Sequence, residues 1–394
     1  MAVSKKILAS IENSSWIRKM FEAGNLLRAK HGAEKVCDFS LGNPDVEPPA
    51  AFQQALEEVV ASASPRKHGY MPNAGYPDVR AAVAAQVGRE QGCRLAGEQV
   101  VMSVGASGAL NSVLKTILDT GDEVIASIPC FMEYNAYVDN HGGKLVLATS
   151  RPDFDLDVDA IVALIGPRTA ALIINSPNNP TGRIYPEATL RKLAAALLQA
   201  GKKTGRTIYL LSDEPYRKLA YGGAKVPGIM ALYPNSIVMS SYSKDLSLPG
   251  ERIGYVAVSP TADDAARLID GIILCTRILG YVNAPALMQR VVSRIQGMAV
   301  DVEIYRRKRD LFSSALSAMG YTFAVPEGAF YIFPKAPGGD DLAFVNALQE
   351  ELILVVPGRG FGMPGYFRIA YCVDTPVIER SLPGFQRVMN KLKG

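Results

Sequence analysis

A chain of 394 residues is longer than one hydrophobic core ordinarily serves, so two domains, or a large domain with a smaller one appended, are expected. The 42 basic and 38 acidic residues give a formal net charge of only +4 and form no long single-sign run. That excludes an electrostatic footprint for nucleic acid and favours a small-molecule partner.

The five cysteines, Cys37, Cys93, Cys130, Cys275 and Cys372, are scattered, odd in number and lack a CxxC pair. This argues against a disulfide framework and against a zinc or other metal site, and fits reduced thiols in a cytoplasmic protein. The opening MAVSKKILASIENSSWIRKM is broken by polar residues too often for a signal peptide. No apolar run approaches the ~18 residues of a membrane span. A soluble chain with no membrane partner is expected.

The Pro-rich patch GNPDVEPPA (42–50) is too short to separate domains and reads as a structured turn near a site. From about residue 99, short apolar runs alternate with helical patterns. The runs are VVMSV (101–104 and its flank), EVIASI (123–128), KLVLA (144–148), AALIIN (170–175), TIYLLS (207–212), SIVMSS (236–241) and GYVAVS (254–259). Runs that are apolar throughout predict strands buried on both faces of a mainly parallel sheet. Helices are predicted at 107–118, at 263–279, and at 187–201, where Leu190, Leu193, Ala194, Leu197 and Leu198 fall at helical spacing. The fold class is therefore α/β, a mainly parallel sheet sandwiched by helices, assigned to residues 49–283.

Beyond this the texture changes. A helix is predicted over 284–319, short strands at 329–333, 353–356 and 366–371, and a closing helix at 375–392. Together with residues 1–48, the stretch 284–394 is expected to form a smaller α+β domain.

In open α/β sheets ligands sit beyond the carboxyl ends of the strands, so the polar residues after each apolar run matter most. A lysine after a strand is usually a solvated surface residue. Lys244 is set in SYSKDLSLPGERIGY, with Ser241 and Ser243 before it and Arg252 after it. Two hydroxyls and a fixed cation suit a phosphate, beside an amine able to form an imine. Asp213, at the mouth of a strand, reads either as a helix N-cap for a segment starting at Glu214-Pro215 or, beside such a lysine, as the carboxylate that keeps a pyridine nitrogen protonated.

Read together, NNPTG (178–182), SDEPY (212–216), SxSK (241–244), PGERIGY (249–255) and FRIAY (367–371) resemble the fold-type I, class I/II aminotransferases, aspartate aminotransferase-like, over nearly the whole chain. The resemblance implies the PLP transferase fold type I and pyridoxal 5′-phosphate (PLP) as cofactor. Lys244 would be its catalytic anchor through an imine, the internal aldimine. Asn179 and Tyr216 would hydrogen-bond the cofactor's phenolic oxygen, with Asn179 also reaching substrate. Asp213 would pair with the ring nitrogen, while Ser241 and Arg252 bind the phosphate. In GASGA (105–109), the backbone N–H groups of Ala106 and Ser107 would meet the same phosphate. Phe131, in PCFMEY, takes the place of an aromatic residue stacked on the ring; a core phenylalanine is the plainer alternative.

Tyr70, in HGYMPNAGYPDVR, matches a tyrosine that reaches the phosphate of the neighbouring subunit, which implies a homodimer with shared sites. Gly42 matches a glycine whose backbone approaches the substrate carboxylate. Arg368, a charge inside an otherwise apolar strand, matches the residue that clamps that carboxylate. Arg277, in CTRILGYVNAP, resembles with a one-residue difference in spacing a segment offering a second arginine to a distal carboxylate; it also suits the end of a helix, where a cation complements the dipole.

The activity implied is ping-pong transfer of an amino group between an α-amino acid, with aspartate or glutamate as candidates, and a 2-oxo acid such as 2-oxoglutarate. Lys244 would move a proton between Cα and the cofactor's C4′. A PLP-dependent carbon–sulfur lyase and a non-catalytic aminotransferase-like ligand sensor stay open as alternatives.

Overall fold

A run such as TAALIIN (Thr169–Asn175) has no polar side to offer water, so it forms a strand only where both sheet faces are covered. The computed structural model of the chain, which describes residues 3–12 and 16–393, assembles seven such runs into one sheet. After the two-residue strand β1 (Cys37–Asp38), these are β2 (Val100–Ser103), β3 (Glu123–Ile128), β4 (Lys144–Thr149), β5 (Thr169–Asn175), β6 (Tyr209–Asp213), β7 (Ser236–Ser241) and β8 (Gly254–Val258). They lie in the order β2-β8-β7-β6-β5-β3-β4, and β8 alone is reversed. Every residue of β5, β7 and β8 is buried. The edge strand β4 departs from the expected two-faced burial, because Lys144, Leu147 and Thr149 meet solvent where no further strand follows.

Helices cover the sheet, among them Gly105–Ile117, Glu187–Thr204 and Ala265–Ile278. Glu187–Thr204 runs past the predicted end at 201 and stops at Gly205, whose φ of 68° only glycine adopts cheaply. Leu190, Leu193, Ala194 and Leu197 form its buried face, while Leu198 is turned outward.

The single helix predicted over 284–319 is two, Ala286–Arg294 and Val302–Met319. Gly297 at φ 84° turns the chain between them, and Asp301 caps the second by accepting from Glu303 N at 3.0 Å. Ala286–Arg294 packs on the helices Ala50–Ala61 and Pro77–Gln91, and its Met288, Val291 and Val292 join the core beside the larger sheet.

Four short strands follow: β9 (Tyr331–Ile332), β10 (Ile353–Leu354), β11 (Val356–Pro357) and β12 (Phe367–Ala370). The run predicted as one strand at 353–356 is divided between two sheets: β10 pairs with β1, and β11 joins the antiparallel sheet β11-β12-β9. Around them Phe39, from the N-terminal segment, meets Phe312 with ring centroids 5.2 Å apart and Phe385 at 6.3 Å. The beginning and end of the chain thus share one aromatic core. No helix among the described residues is long and apolar enough to cross a membrane.

Candidate active site

The parallel strands β5, β6 and β7 end side by side on Asn175, Asp213 and Ser241, with Asn175 in register with Asp213. Beyond these ends opens a cavity of about 280 Å³. Of the residues predicted from sequence, Gly42, Ala106, Ser107, Phe131, Asn179, Asp213, Tyr216, Ser241, Lys244, Arg252 and Arg368 line it. Tyr70 and Arg277 do not. Tyr70 is 93% exposed, and Arg277 lies exposed in the last turn of Ala265–Ile278, where its charge complements the helix dipole.

One end of the cavity is built for an anion. The helix Gly105–Ile117 starts there with no side-chain cap, leaving first-turn N–H groups at Ala106 and Ser107 for a ligand. Gly105 has φ 77°, and a Cβ on it would stand 2.8 Å from the Arg252 guanidinium, so glycine is needed for this approach. Arg252 is itself held at φ 50°, its Nη1 donating to Pro249 O at 2.7 Å. Ser241 and Ser243, both buried, complete the cradle.

Next to it lies Asp213, 8% exposed. Tyr134 donates to its Oδ2 at 2.7 Å, whereas its Oδ1 is buried with no partner. Burial pushes the carboxyl up to about 6, the Tyr134 bond pulls it down, and the neighbouring Glu214 raises it. The adjacent Glu214 makes the contrast clear. Equally buried, it accepts from Ser212 Oγ at 2.8 Å, Gln91 Nε2 at 3.0 Å and Arg217 Nη1 at 3.0 Å. Strand alternation sends one acid into a satisfied network and the other toward the cavity. The helix-cap alternative for Asp213 does not hold: it closes β6, and a turn follows it.

Lys244 donates to Gly42 O at 2.5 Å. Burial lowers its ammonium to about 8, with Arg368 and Arg252 adding to the fall and Cys372 opposing it. Arg368, 2% exposed, donates through Nη1 to Asn179 Oδ1 at 3.0 Å and through Nη2 to Ser40 O at 2.5 Å, and its Nε has no partner. Its guanidinium stacks over the Tyr331 and Phe361 rings at 4.6 and 4.8 Å. A buried cation neutralised only by dipoles and ring faces is set to receive an anionic ligand. Tyr216 and Tyr331 share a hydroxyl–hydroxyl hydrogen bond of 2.7 Å.

Sequence reasoning missed four polar lining residues: Tyr134, Tyr137, Asn175 and Tyr331. Tyr134 follows Phe131 at the three-residue spacing of one helical turn, a signal that was available, and its ring meets Phe131 edge-on at 5.6 Å. Asn175 is the last residue of an apolar strand and was equally legible. It accepts from Asn179 N at 2.7 Å and donates to Asp213 O at 2.8 Å, tying two strand ends together. Tyr137, which donates to Ser107 Oγ at 3.1 Å, and Tyr331, inside GAFYIF, read as ordinary core tyrosines.

The lowered Lys244 value has a stability consequence. Below about 8 the lysine is charged in both folded and unfolded chains, so its full burial penalty opposes folding; the penalty fades as pH rises from 8 toward 10.5. Discounted for the open side of the cavity, it amounts to about 2 kcal/mol. Lys244→Met should therefore stabilise the ligand-free protein by about that much at pH 7 and by little above pH 10. Urea denaturation of both proteins across pH checks this, and an advantage that does not fall with rising pH contradicts it.

Residues 34–382 match the model of Aminotransferase class I and II. The aspartate/prephenate aminotransferase of Thermus thermophilus is 32% identical over 359 residues, covering 89% of this chain and 90% of that protein. The aspartate aminotransferase of Geobacillus stearothermophilus is 31% identical in an alignment covering 99% of each chain. Among solved structures, an amino transferase from Eubacterium rectale superimposes with a TM-score of 0.96 at 38% identity, over 100% of both chains. The T. thermophilus aspartate aminotransferase with maleate gives 0.87 at 28% identity, over 98% of this chain and 100% of that one. The chain belongs to the class I and II aminotransferases and has their fold-type I architecture.

Proposed function

We propose that the protein is a pyridoxal-phosphate-dependent transaminase acting between an α-amino acid and a 2-oxo acid, with Lys244 as its catalytic lysine. The observation that carries this reading is the convergence of four incomplete groups on one cavity. They are an uncapped helix N-terminus beside Arg252, a buried Asp213 oxygen without a partner, an amine lowered to about 8, and a buried arginine with a free Nε. These match, in kind, a phosphate, a protonated ring nitrogen, an aldehyde and a carboxylate.

The first-turn N–H groups of Ala106 and Ser107, with Ser241 and Arg252, would hold the phosphate. Asp213 would pair with the ring nitrogen, and Asn179 and Tyr216 with the phenolic oxygen. Phe131 would lie against the ring. When bound, pyridoxal phosphate supplies the aldehyde that an amine can engage and the pyridinium that takes up electrons from a breaking Cα–H bond.

With its ammonium lowered to about 8, Lys244 gives up its proton more readily than an exposed lysine, so its Nζ is suited to lift and return the proton at substrate Cα. Gly42 O, which holds that Nζ, fixes its direction. Arg368 engages the α-carboxylate while Asn179 and Ser40 O keep its plane in place. Gly42 allows close approach of the backbone to the substrate. Kinetics are ping-pong, because one site handles donor and acceptor in turn.

Aspartate as donor is favoured by the names of the aspartate and aspartate/prephenate aminotransferases among the relatives, and glutamate as a further donor with 2-oxoglutarate as acceptor completes the proposed pairing. Its reader would be Arg277, acting across the interface of a cytoplasmic homodimer in which Tyr70 reaches the partner's phosphate. The exposure of Tyr70, and of Leu274 and Ile278 beside Arg277, supports a second copy covering this surface. The division into a large domain at 49–283 and a small one from 1–48 and 284–394 belongs to this reading, with Ala286–Arg294 packed toward the large domain.

The decisive assay mixes cofactor-loaded protein with single amino acids and follows conversion of the cofactor to its amine form, with pyruvate release measured in parallel. Conversion is expected with no pyruvate beyond the one equivalent that alanine itself yields on losing its amino group; pyruvate from a sulfur-bearing amino acid would make the chain a lyase, and no response to any amino acid would make it a sensor. In Lys244→Ala, borohydride should no longer fix cofactor to protein and multiple turnover should cease; retained fixation would contradict the assignment. Arg368→Ala should weaken all amino acids together by roughly 1.5 to 3 kcal/mol, whereas Arg277→Ala should depress only aspartate and glutamate. Steady-state kcat/KM over aspartate, alanine and phenylalanine separates the two patterns, and an Arg277→Ala enzyme unchanged on aspartate would leave that arginine a helix cap.

A further inference from the structure

We infer that Tyr331 is a positioning residue for the cofactor's phenolic oxygen, acting through the hydroxyl of Tyr216. The inference rests on the reading above.

Tyr331 sits where three parts of the site meet. Strand β9 places it opposite Ala370 on β12, the strand that carries Arg368. The Arg368 guanidinium lies 4.6 Å over its ring, and the Tyr216 ring meets it edge-on at 5.6 Å. A Cβ on Gly42 would overlap the Tyr331 hydroxyl, so that hydroxyl occupies the space glycine leaves beside the carbonyl that holds Lys244. The side chain is 2% exposed and its hydroxyl lies 2.7 Å from that of Tyr216.

Each hydroxyl has one hydrogen to donate. Between the two tyrosines alone, either oxygen can be the donor. Once Tyr216 donates to the cofactor's phenolic oxygen, its hydrogen is committed, and the 2.7 Å contact is filled only if Tyr331 donates to Tyr216. The stacked guanidinium favours this polarity by making the Tyr331 hydroxyl a stronger donor. A hydroxyl that accepts a hydrogen bond in turn donates a stronger one. Tyr331 therefore strengthens the bond from Tyr216 to the phenolic oxygen and draws charge from it. The proton shared between that oxygen and the lysine-derived nitrogen is then held less tightly.

A purely structural role predicts something different. Phenylalanine fills almost the same volume, and with Phe330 beside it a second ring would serve the aromatic core equally well.

The test is a double-mutant cycle on cofactor-loaded protein, read as the pH midpoint of the bound cofactor's visible absorbance with no substrate present. Tyr331→Phe should move the midpoint upward by about 0.3 pH unit or more in the parent. In a Tyr216→Phe background the same substitution should leave it in place. No shift in the parent background, or an equal shift in both backgrounds, overturns the inference. Thermal denaturation of each variant verifies that the fold is kept. Borohydride fixation and peptide mapping of the parent keep the underlying reading separate: cofactor fixed at Lys244 with no Tyr331 effect defeats this inference alone, while a parent with no cofactor fixed there defeats both.

Discussion

The Asp213 carboxylate, buried at the end of a central strand with one oxygen left unpartnered, is the constraint around which the site is arranged. Removing a carboxylate from water is unfavourable unless hydrogen bonds or a cation replace the lost hydration. Tyr134 supplies one bond, and nothing in the described chain supplies the rest. Because burial raises the folded-state value to about 6, the ligand-free protein gains from protonating Asp213 and loses stability as pH climbs from about 4 through 6. Glu214, one residue on, shows that the chain can satisfy an equally buried acid when it is structural.

The surrounding groups share this incompleteness with the opposite sign. Lys244 and Arg368 are cations in the same enclosed space, and neither has a carboxylate partner among the described residues. Arg252 and the uncapped helix terminus add positive potential at the far end. One acidic position facing several positive ones is the complement of a ligand with a protonated ring nitrogen, a phosphate and a bound carboxylate. The site is destabilised by its own desolvated charges when alone, and binding relieves that penalty.

Much of this arrangement was legible because it lies at strand ends. Runs with no polar residue identified the parallel sheet, and the residues following them, Asn179, Asp213, Ser241 and Lys244, are where chain direction alone delivers side chains to one edge. Legibility failed where the decisive factor was partnership across the fold. Tyr331 and Tyr137 read as core aromatics because hydropathy does not reveal which hydroxyl meets Tyr216 or Ser107. The break in the predicted helix 284–319 turned on Gly297 and the Asp301 cap, local signals outweighed by the long run of helix-forming residues around them. Val355 divides a run that hydropathy reads as one strand, since two neighbours, β1 and β12, compete for its two halves. Tyr70 and Arg277 lie outside the cavity of the single chain, and their expected roles concern a second copy.

The central claim, that Asp213 is held as an unsatisfied acid for a cationic ring nitrogen, is tested most directly by chemical denaturation of the parent and Asp213→Asn at pH 7.5, each with and without pyridoxal phosphate. Asparagine keeps the size of the side chain and a carbonyl for Tyr134 while removing the charge. Without cofactor the variant should be the more stable protein, by up to about 2 to 3 kcal/mol, and with saturating cofactor the order should reverse. Equal stabilisation of both proteins by the cofactor would contradict the account, because the ring nitrogen would then be held by something other than Asp213.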